Sequence, residues 1–240
     1  MSVGWPAALW QGARQTAKKE VKMIKGCIFD LDGTLLYTID TIAYYVNKAF
    51  QKHNIRQLSV DEVKQFVGGG ARVLIDKCMR CAGGYTTEEF FEAVYADYKS
   101  AYDTDTTYLT RAYSGIPTLI RALGERGVKL GILSNKPEGA TVAVAKHFFG
   151  DAFDLVFGGL EGFPLKPDPT RLLSMIDELG LQRCEVAYIG DMETDIKTGK
   201  NADVGLVLAV GWGYQPKGEL EALGADRVLE NPLDILEVIS

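Results

Sequence analysis

The sequence predicts an α/β protein built on a doubly wound parallel sheet, with an all-helical insert after the first strand. Three observations carry that expectation. Short apolar runs rich in Val, Ile and Phe recur as "MIKGCIFD", "VKLGILS", "FDLVFGG", "VAYIGD", "VGLVLAV" and "DRVLE", each bounded by Gly or a polar turn. Runs of that length and composition read as buried strands. From residue 113 onward they alternate with segments of helical period, Gly115 to Arg126, Glu138 to Phe148, Pro169 to Leu179 and Thr194 to Asn201, the pattern of a parallel sheet with crossover helices. Between Thr38 and Tyr113 the period is helical, in "TIDTIAYYVNKAF", "SVDEVKQFV", "ARVLIDKCMRCA" and "TTEEFFEAVYADYKSAY", and no run is convincing as a strand. Residues 23–37 and 113–240 are therefore expected to form a Rossmann-like core, and residues 38–112 a helical cap. The insert leaves from the carboxyl edge of the sheet, where such sheets bind ligands.

Residues 1–22 precede the first strand and read as an extension outside the core. The alternative is a short basic amphipathic helix touching a membrane or a partner, with Trp5, Leu9 and Trp10 on one side. Arg14, Lys18, Lys19 and Lys22 are not followed by the continuous apolar segment of a secretory signal, so the cytoplasm is the expected compartment. No apolar stretch approaches the roughly 20 residues that span a bilayer. The net charge of -6 argues against a general nucleic-acid binder, and any anionic substrate must be held by local chemistry. Of the four cysteines only Cys78 and Cys81 have a C-x-x-C spacing, with no second pair at zinc-site distance, so all four read as reduced thiols. His53 and His147 fall on helical segments and read as ordinary histidines, and the tyrosines in and around the insert as packing residues.

Polar residues gather at the strand ends. The first strand runs into Asp30 and, two residues later, Asp32, before turning on Gly33-Thr34. Two close carboxylates repel, an arrangement enzymes use to set a nucleophile beside an acid and base; two solvated turn aspartates are the plainer alternative. Ser134 and Asn135 end the second strand and offer a hydroxyl, an amide and backbone N–H groups to an anion, or simply cap a helix. Lys166 stands at a helix entry in "FPLKPDPT", an unfavourable place for a cation unless an anion is near. Asp191 ends the fourth strand and Asp195 follows one helical turn on. Each is ordinary by itself. Four strand ends with polar groups at one edge are not, and several carboxylates at one locus call for a hard divalent cation, with Mg2+ the usual choice beside phosphate.

Taken in order, Asp30-Leu-Asp32-Gly-Thr-Leu, Ser134-Asn-Lys, Lys166-Pro-Asp-Pro and Gly190-Asp191-x-x-x-Asp195 resemble the four motifs of the haloacid dehalogenase superfamily, in its members with an α-helical cap. The resemblance implies that Asp30 is a nucleophile forming an aspartyl-phosphate and Asp32 the general acid and base. It implies that Ser134 and Lys166 bind phosphate, with the amides of the Gly33-Thr34 turn and Asn135 beside them. Asp30, the Asp32 carbonyl and Asp191 would hold Mg2+, and Asp195 would support the metal shell or Lys166. A departing halide needs no proton, so Asp32 favours a phosphatase over a dehalogenase. "FVGGGARVLI", "YSGIPTLIRALGERGVKLGILSNKP" and "VGWGYQPKGELEALGAD" further resemble the phosphoglycolate phosphatase-like branch. In the insert, Gly68, Gly69 and Gly70 permit a tight turn, and Arg72 is a candidate for a substrate's second charge, or else a solvated helix arginine. Met192 departs from the Ser or Thr usual there. The expected enzyme is a Mg2+-dependent phosphatase of a small phosphorylated metabolite such as 2-phosphoglycolate, monomeric or homodimeric. A sugar phosphomutase and a noncatalytic phosphate-binding protein are the alternatives.

Overall fold

β1 (Gly26–Phe29) is buried along its whole length, and its two-residue alternation decides where each side chain goes. Cys27 and Phe29 enter one apolar cluster and Ile28 enters another. The strand is thus covered on both sides, as a continuous apolar run requires. The structure is a computed structural model that describes residues 23–239; the extension expected at residues 1–22, and its amphipathic-helix alternative, lie outside the described residues.

After β1 the chain makes a two-residue strand, β2 (Leu36–Tyr37), and then four helices, α1 (Ile39–Lys52), α2 (Val60–Lys64), α3 (Ala71–Cys81) and α4 (Glu88–Tyr102). Their starts are legible in the residues. The Ser59 hydroxyl accepts from Glu62 N while the Glu62 carboxylate accepts from Ser59 N, a reciprocal cap for α2. Thr87 caps α4 by accepting from Phe90 N. The four helices share an apolar cluster of their own, with Val46, Phe50, Ile75, Met79 and Val94 at its centre. β3 (Arg111–Ala112) then pairs antiparallel with β2, Leu36 opposite Ala112 and Tyr37 opposite Arg111. This ribbon at the root of the insert differs from the strand-free interval expected there, because two residues are too short to display a period.

The chain continues through α5 (Ile116–Glu125), β4 (Lys129–Pro137), α6 (Glu138–Phe149), β5 (Leu155–Gly159), α7 (Thr170–Glu178), β6 (Val186–Gly190) and α8 (Glu193–Asn201). It ends with β7 (Leu206–Val210), α9 (Lys217–Ala222), β8 (Arg227–Leu229) and α10 (Ile235–Val238). The main sheet runs β5-β4-β1-β6-β7-β8, with every neighbouring pair parallel. This is the doubly wound sheet expected from the sequence. One face packs on α5, α6 and α10 and the other on α7, α8 and α9. The two short helices near the end, α9 and α10, carried no periodic signal.

The chain builds outward from β1 to β4 and β5, then returns to set β6 on the other side of β1. Strand order reverses there, and loops on the two sides diverge, which opens a crevice beyond the carboxyl ends of β4, β1 and β6. Asp30 and Asp191 directly follow the ends of β1 and β6, and Ser134 lies within β4, three residues before its end. All four cysteines are free. Burial pushes the Cys27 and Cys78 thiols up to about 12, so both stay protonated packing groups.

Candidate active site

Asp30 follows the last residue of β1 and still belongs to the ladder, its N–H donating to Ile189 O at 2.8 Å. That bond fixes its Cα, and the carboxylate rises from the sheet edge into a buried cluster. One oxygen each of Asp30, Asp191 and Asp195 lies within 4.8 Å of the others. The Lys166 ammonium sits beside them, 2.7 Å from both Asp30 Oδ1 and Asp195 Oδ1, and also donates to Leu133 O at 3.2 Å. The ion pair to Asp30 is off the hydrogen-bonding direction, and Asp30 Oδ1 has no aligned donor.

The turn after Asp30 is shaped for Asp191. Gly33 has φ +90, and a Cβ there would stand 2.2 Å from Asp191 Oδ2, so neither the backbone nor the space admits another residue. The Thr34 hydroxyl donates to Asp191 Oδ1 at 2.9 Å, and Tyr214 N donates to Asp191 Oδ2 at 2.8 Å. The Tyr214 hydroxyl also bonds Thr38 at the start of the insert, at 3.0 Å from its N and 2.9 Å from its Oγ1. Asp195 accepts from Met192 N at 3.1 Å, so the carboxylate itself holds the first turn of α8 to the residue before it, with no side-chain hydroxyl at 192. The Met192 side chain instead packs against the Gly68 turn of the insert.

Electrostatics of the cluster are unbalanced. Burial, with the nearby Asp195 and Asp32 charges, pushes Asp30 up to about 7 against the pull of Lys166. Burial followed by the Asp195 and Asp30 charges drives Asp191 well above the usual carboxylate range, despite its two hydrogen bonds. Burial alone would pull Lys166 down, but Asp195 and Asp30 together hold it well above its ordinary value. Three buried carboxylates around one ammonium leave surplus negative charge, and an oxygen of Asp30 without an aligned donor. Those features fit a hard divalent cation with oxygen ligands.

Above this cluster lies a cleft whose empty space, open mouth included, is about 730 Å³, and whose lining does not include Gly33 or Thr34. Asp32, Ser134, Asn135 and Lys166 all line it. Asn135 also braces the loops around it. Its amide donates to Gly68 O at 2.8 Å and to Lys166 O at 3.1 Å, and its oxygen accepts from Lys166 N at 2.8 Å. It therefore ties the Lys166 loop to the insert. Gly68 and Gly70 border the cleft, and Tyr95, Tyr98 and Tyr102 of α4 form part of the opposite wall.

Arg72 is not brought there. Its guanidinium pairs with Glu88 at 2.9 Å and with Glu92, and lies over the Phe91 ring at 4.7 Å. Its neighbours on α4 pair with it, so it clasps α3 to α4 and does not line the cleft. Arg72→Ala is expected to lower stability by only about 0.5–1 kcal/mol, the scale of an exposed pair. Steady-state kinetics should show KM for phosphomonoesters essentially unchanged. His53 pairs with Asp97 at 2.7 Å and His147 meets the Phe148 ring edge-on, both as ordinary structural groups.

Lys136 is the lysine of the Ser134-Asn-Lys motif but has no role assigned from the sequence, and Tyr102 reads there as one of the packing tyrosines. The Lys136 ammonium donates to both Asp32 oxygens, at 3.1 and 3.2 Å, and to the Tyr102 hydroxyl. A charged residue inside the buried strand "GILSNKP" was an available signal. Nothing in the sequence separates Tyr102 from the other tyrosines.

A parallel sheet with buried carboxylates, a buried lysine and a covered cleft at its switch point is an arrangement that suits a phosphoric monoester hydrolase. The family model described as haloacid dehalogenase-like hydrolase matches residues 27–209. The phosphoglycolate phosphatase of Rhodobacter capsulatus is 36% identical over 204 residues, covering 84% of this chain and 90% of that protein. That of Aquifex aeolicus is 30% identical over 213 residues, covering 88% and 95%. A crystal structure of a protein from Lactobacillus delbrueckii subsp. bulgaricus superposes with TM-score 0.85 at 28% identity, covering 91% of this chain and 99% of that one. The chain belongs to the haloacid dehalogenase-like hydrolase family, and within it resembles the phosphoglycolate phosphatases. Among the described residues, no helix is long and apolar enough to cross a membrane.

Proposed function

We propose that the protein hydrolyses a small phosphomonoester through an aspartyl-phosphate on Asp30, with Mg2+ bound at the carboxylate cluster. The observation that carries this reading is the buried group of Asp30, Asp191, Asp195 and Lys166 at one strand edge, with Asp32 on the wall of the cleft above it. Asp30, the Asp32 carbonyl and Asp191 would hold the ion, which supplies charge neutralisation beside the phosphoryl oxygens. Lys166, oriented by Asp195, faces the same oxygens together with Ser134 and the backbone amides that directly follow Asp30; the Gly33 N–H, expected to join them, instead donates to Leu36 O at 2.8 Å.

Asp30 attacks phosphorus, the ester P–O bond breaks, and Asp32 gives its proton to the leaving oxygen. Water then attacks the phosphorylated Asp30, the P–O bond to Asp30 breaks, and Asp32 takes the water's proton. Residues 38–112 act as the cap: their glycine turn and the α4 tyrosines border the cleft, and Asn135 joins them to the Lys166 loop. The similarity to phosphoglycolate phosphatases supports a small, anionic substrate of the 2-phosphoglycolate type.

The test is a phosphate-release screen over phosphorylated metabolites with Mg2+ and with chelator. Free phosphate from a small monoester is expected only when Mg2+ is present. Isomerised ester without free phosphate would establish a mutase instead, and no turnover of any ester would leave a binding protein.

A further inference from the structure

A lysine inside a buried strand must find partners for its ammonium on leaving water. Lys136, the penultimate residue of β4, has a side chain only 4% exposed. Its ammonium reaches both oxygens of Asp32 and the Tyr102 hydroxyl, with the Tyr102 ring centroid 4.7 Å away. The chemistry proposed above gives it no role, since Lys166 already faces Asp30. Both partners are informative. Asp32 is the group that moves the proton, and Tyr102 is the last residue of α4, in the insert.

A carboxylate that accepts from one ammonium through both oxygens is held in one orientation, and as an acceptor. That suits one half of the reaction. In the first half Asp32 loses its proton to the leaving oxygen as the P–O ester bond breaks. It is then a carboxylate and must accept a proton from the water that breaks the P–O bond to Asp30. We infer that Lys136, itself oriented by Tyr102, is a positioning residue that holds Asp32 as the base for hydrolysis of the phosphorylated enzyme. The inference rests on the aspartyl-phosphate reading. It also brings Tyr102 into the chemistry, because the base is properly held only while the insert is seated over the site.

Dinitrophenyl phosphate separates the two halves, because its leaving group needs no proton in the first. With Mg2+ present, Lys136→Met should lower kcat on this ester by about 10-fold to 100-fold, the usual cost of a misplaced group. Its kcat/KM should stay within about threefold of wild type, since that ratio reports only the first half. Acid quenching of turnover on radiolabelled ester should recover a larger fraction of Lys136→Met as phosphoenzyme. Tyr102→Phe, which leaves every charge in place, should shift that fraction the same way by a smaller factor.

Asp32→Asn is measured beside them and should accumulate phosphoenzyme strongly. If Asp32→Asn accumulates it while Lys136→Met loses kcat and kcat/KM equally with no accumulation, the inference is overturned and the proposed function stands. If Asp32→Asn accumulates none, the aspartyl-phosphate reading falls and the inference falls with it. Should Lys136→Met fail to fold, judged by its melting curve, Tyr102→Phe decides, and an unchanged phosphoenzyme fraction in it overturns the inference.

Discussion

Asp30→Asn is expected to reduce hydrolysis of any phosphomonoester by a factor of about 10⁴ or more, the scale of removing an enzymic nucleophile. An amide cannot attack phosphorus usefully, and no other carboxylate of the cluster is free to replace it. Asp191 is held by Thr34 and Tyr214, and Asp195 by Lys166 and Met192 N. The same substitution should make the metal-free protein more stable. Asp30 stands at about 7 in the fold against 3.8 for the ordinary group. The folded state therefore holds that proton longer than the unfolded chain does. Its contribution is fully present below about pH 4 and is lost as pH rises towards 7. Asparagine removes this penalty and leaves Lys166 paired with Asp195. Melting in chelator should show the variant gaining over wild type between pH 4 and 8. Added Mg2+ should then raise wild type more than the variant.

Lys166→Met is the second large effect, and it works in the opposite sense. The ammonium lies 2.7 Å from two carboxylates whose side chains are 9% and 2% exposed. Removing one partner of a buried pair costs about 3–5 kcal/mol because the charge left behind has no water to return to. Activity should fall by at least about 10²-fold as well, since one donor aimed at the transferring group is worth that much. Chemical denaturation at neutral pH measures the first effect. The loss should shrink as pH falls and Asp30 takes up its proton. A substitution that cost nothing at neutral pH would mean the two carboxylates are already balanced by something else.

Much of the fold was legible because its signals are long and regular. β1, β4 and β6 announce themselves as apolar runs ended by Gly or a polar turn, and α1 and α4 extend over several turns of helical period. The β2–β3 ribbon, α9 and α10 are two to six residues long, too short for a period. At the site, Asp30, Asp191, Asp195 and Lys166 were legible since each stands at a strand end or helix entry, where the sheet's geometry sends polar groups to one place. Arg72 stands apart from the cleft lining for a physical reason: Glu88 and Glu92, sixteen and twenty residues later, accept hydrogen bonds from its guanidinium. Such partners across the chain are invisible to local spacing. The role of Lys136 is hidden in the sequence for the converse reason. A lysine beside Ser134 and Asn135 looks like the rim of a site, and only the fold shows it turned inward onto Asp32.

The glycine-and-aromatic segment Gly211 to Tyr214 shows how the sheet edge and the insert are joined. Trp212 Nε1 donates to Thr34 O at 3.0 Å, beside the Tyr214 contacts to Asp191 and Thr38. Three loops that meet only in the fold thus hold one carboxylate and the root of the insert.

Whether Asp30 carries the phosphoryl group can be read by peptide mapping with mass spectrometry, on enzyme acid-quenched during turnover with Mg2+. A phosphoryl group is expected on the peptide that contains Asp30, absent in chelator and absent from Asp30→Asn. Full turnover with Asp30 unmodified, or a phosphoryl group carried by another residue, would contradict the aspartyl-phosphate mechanism.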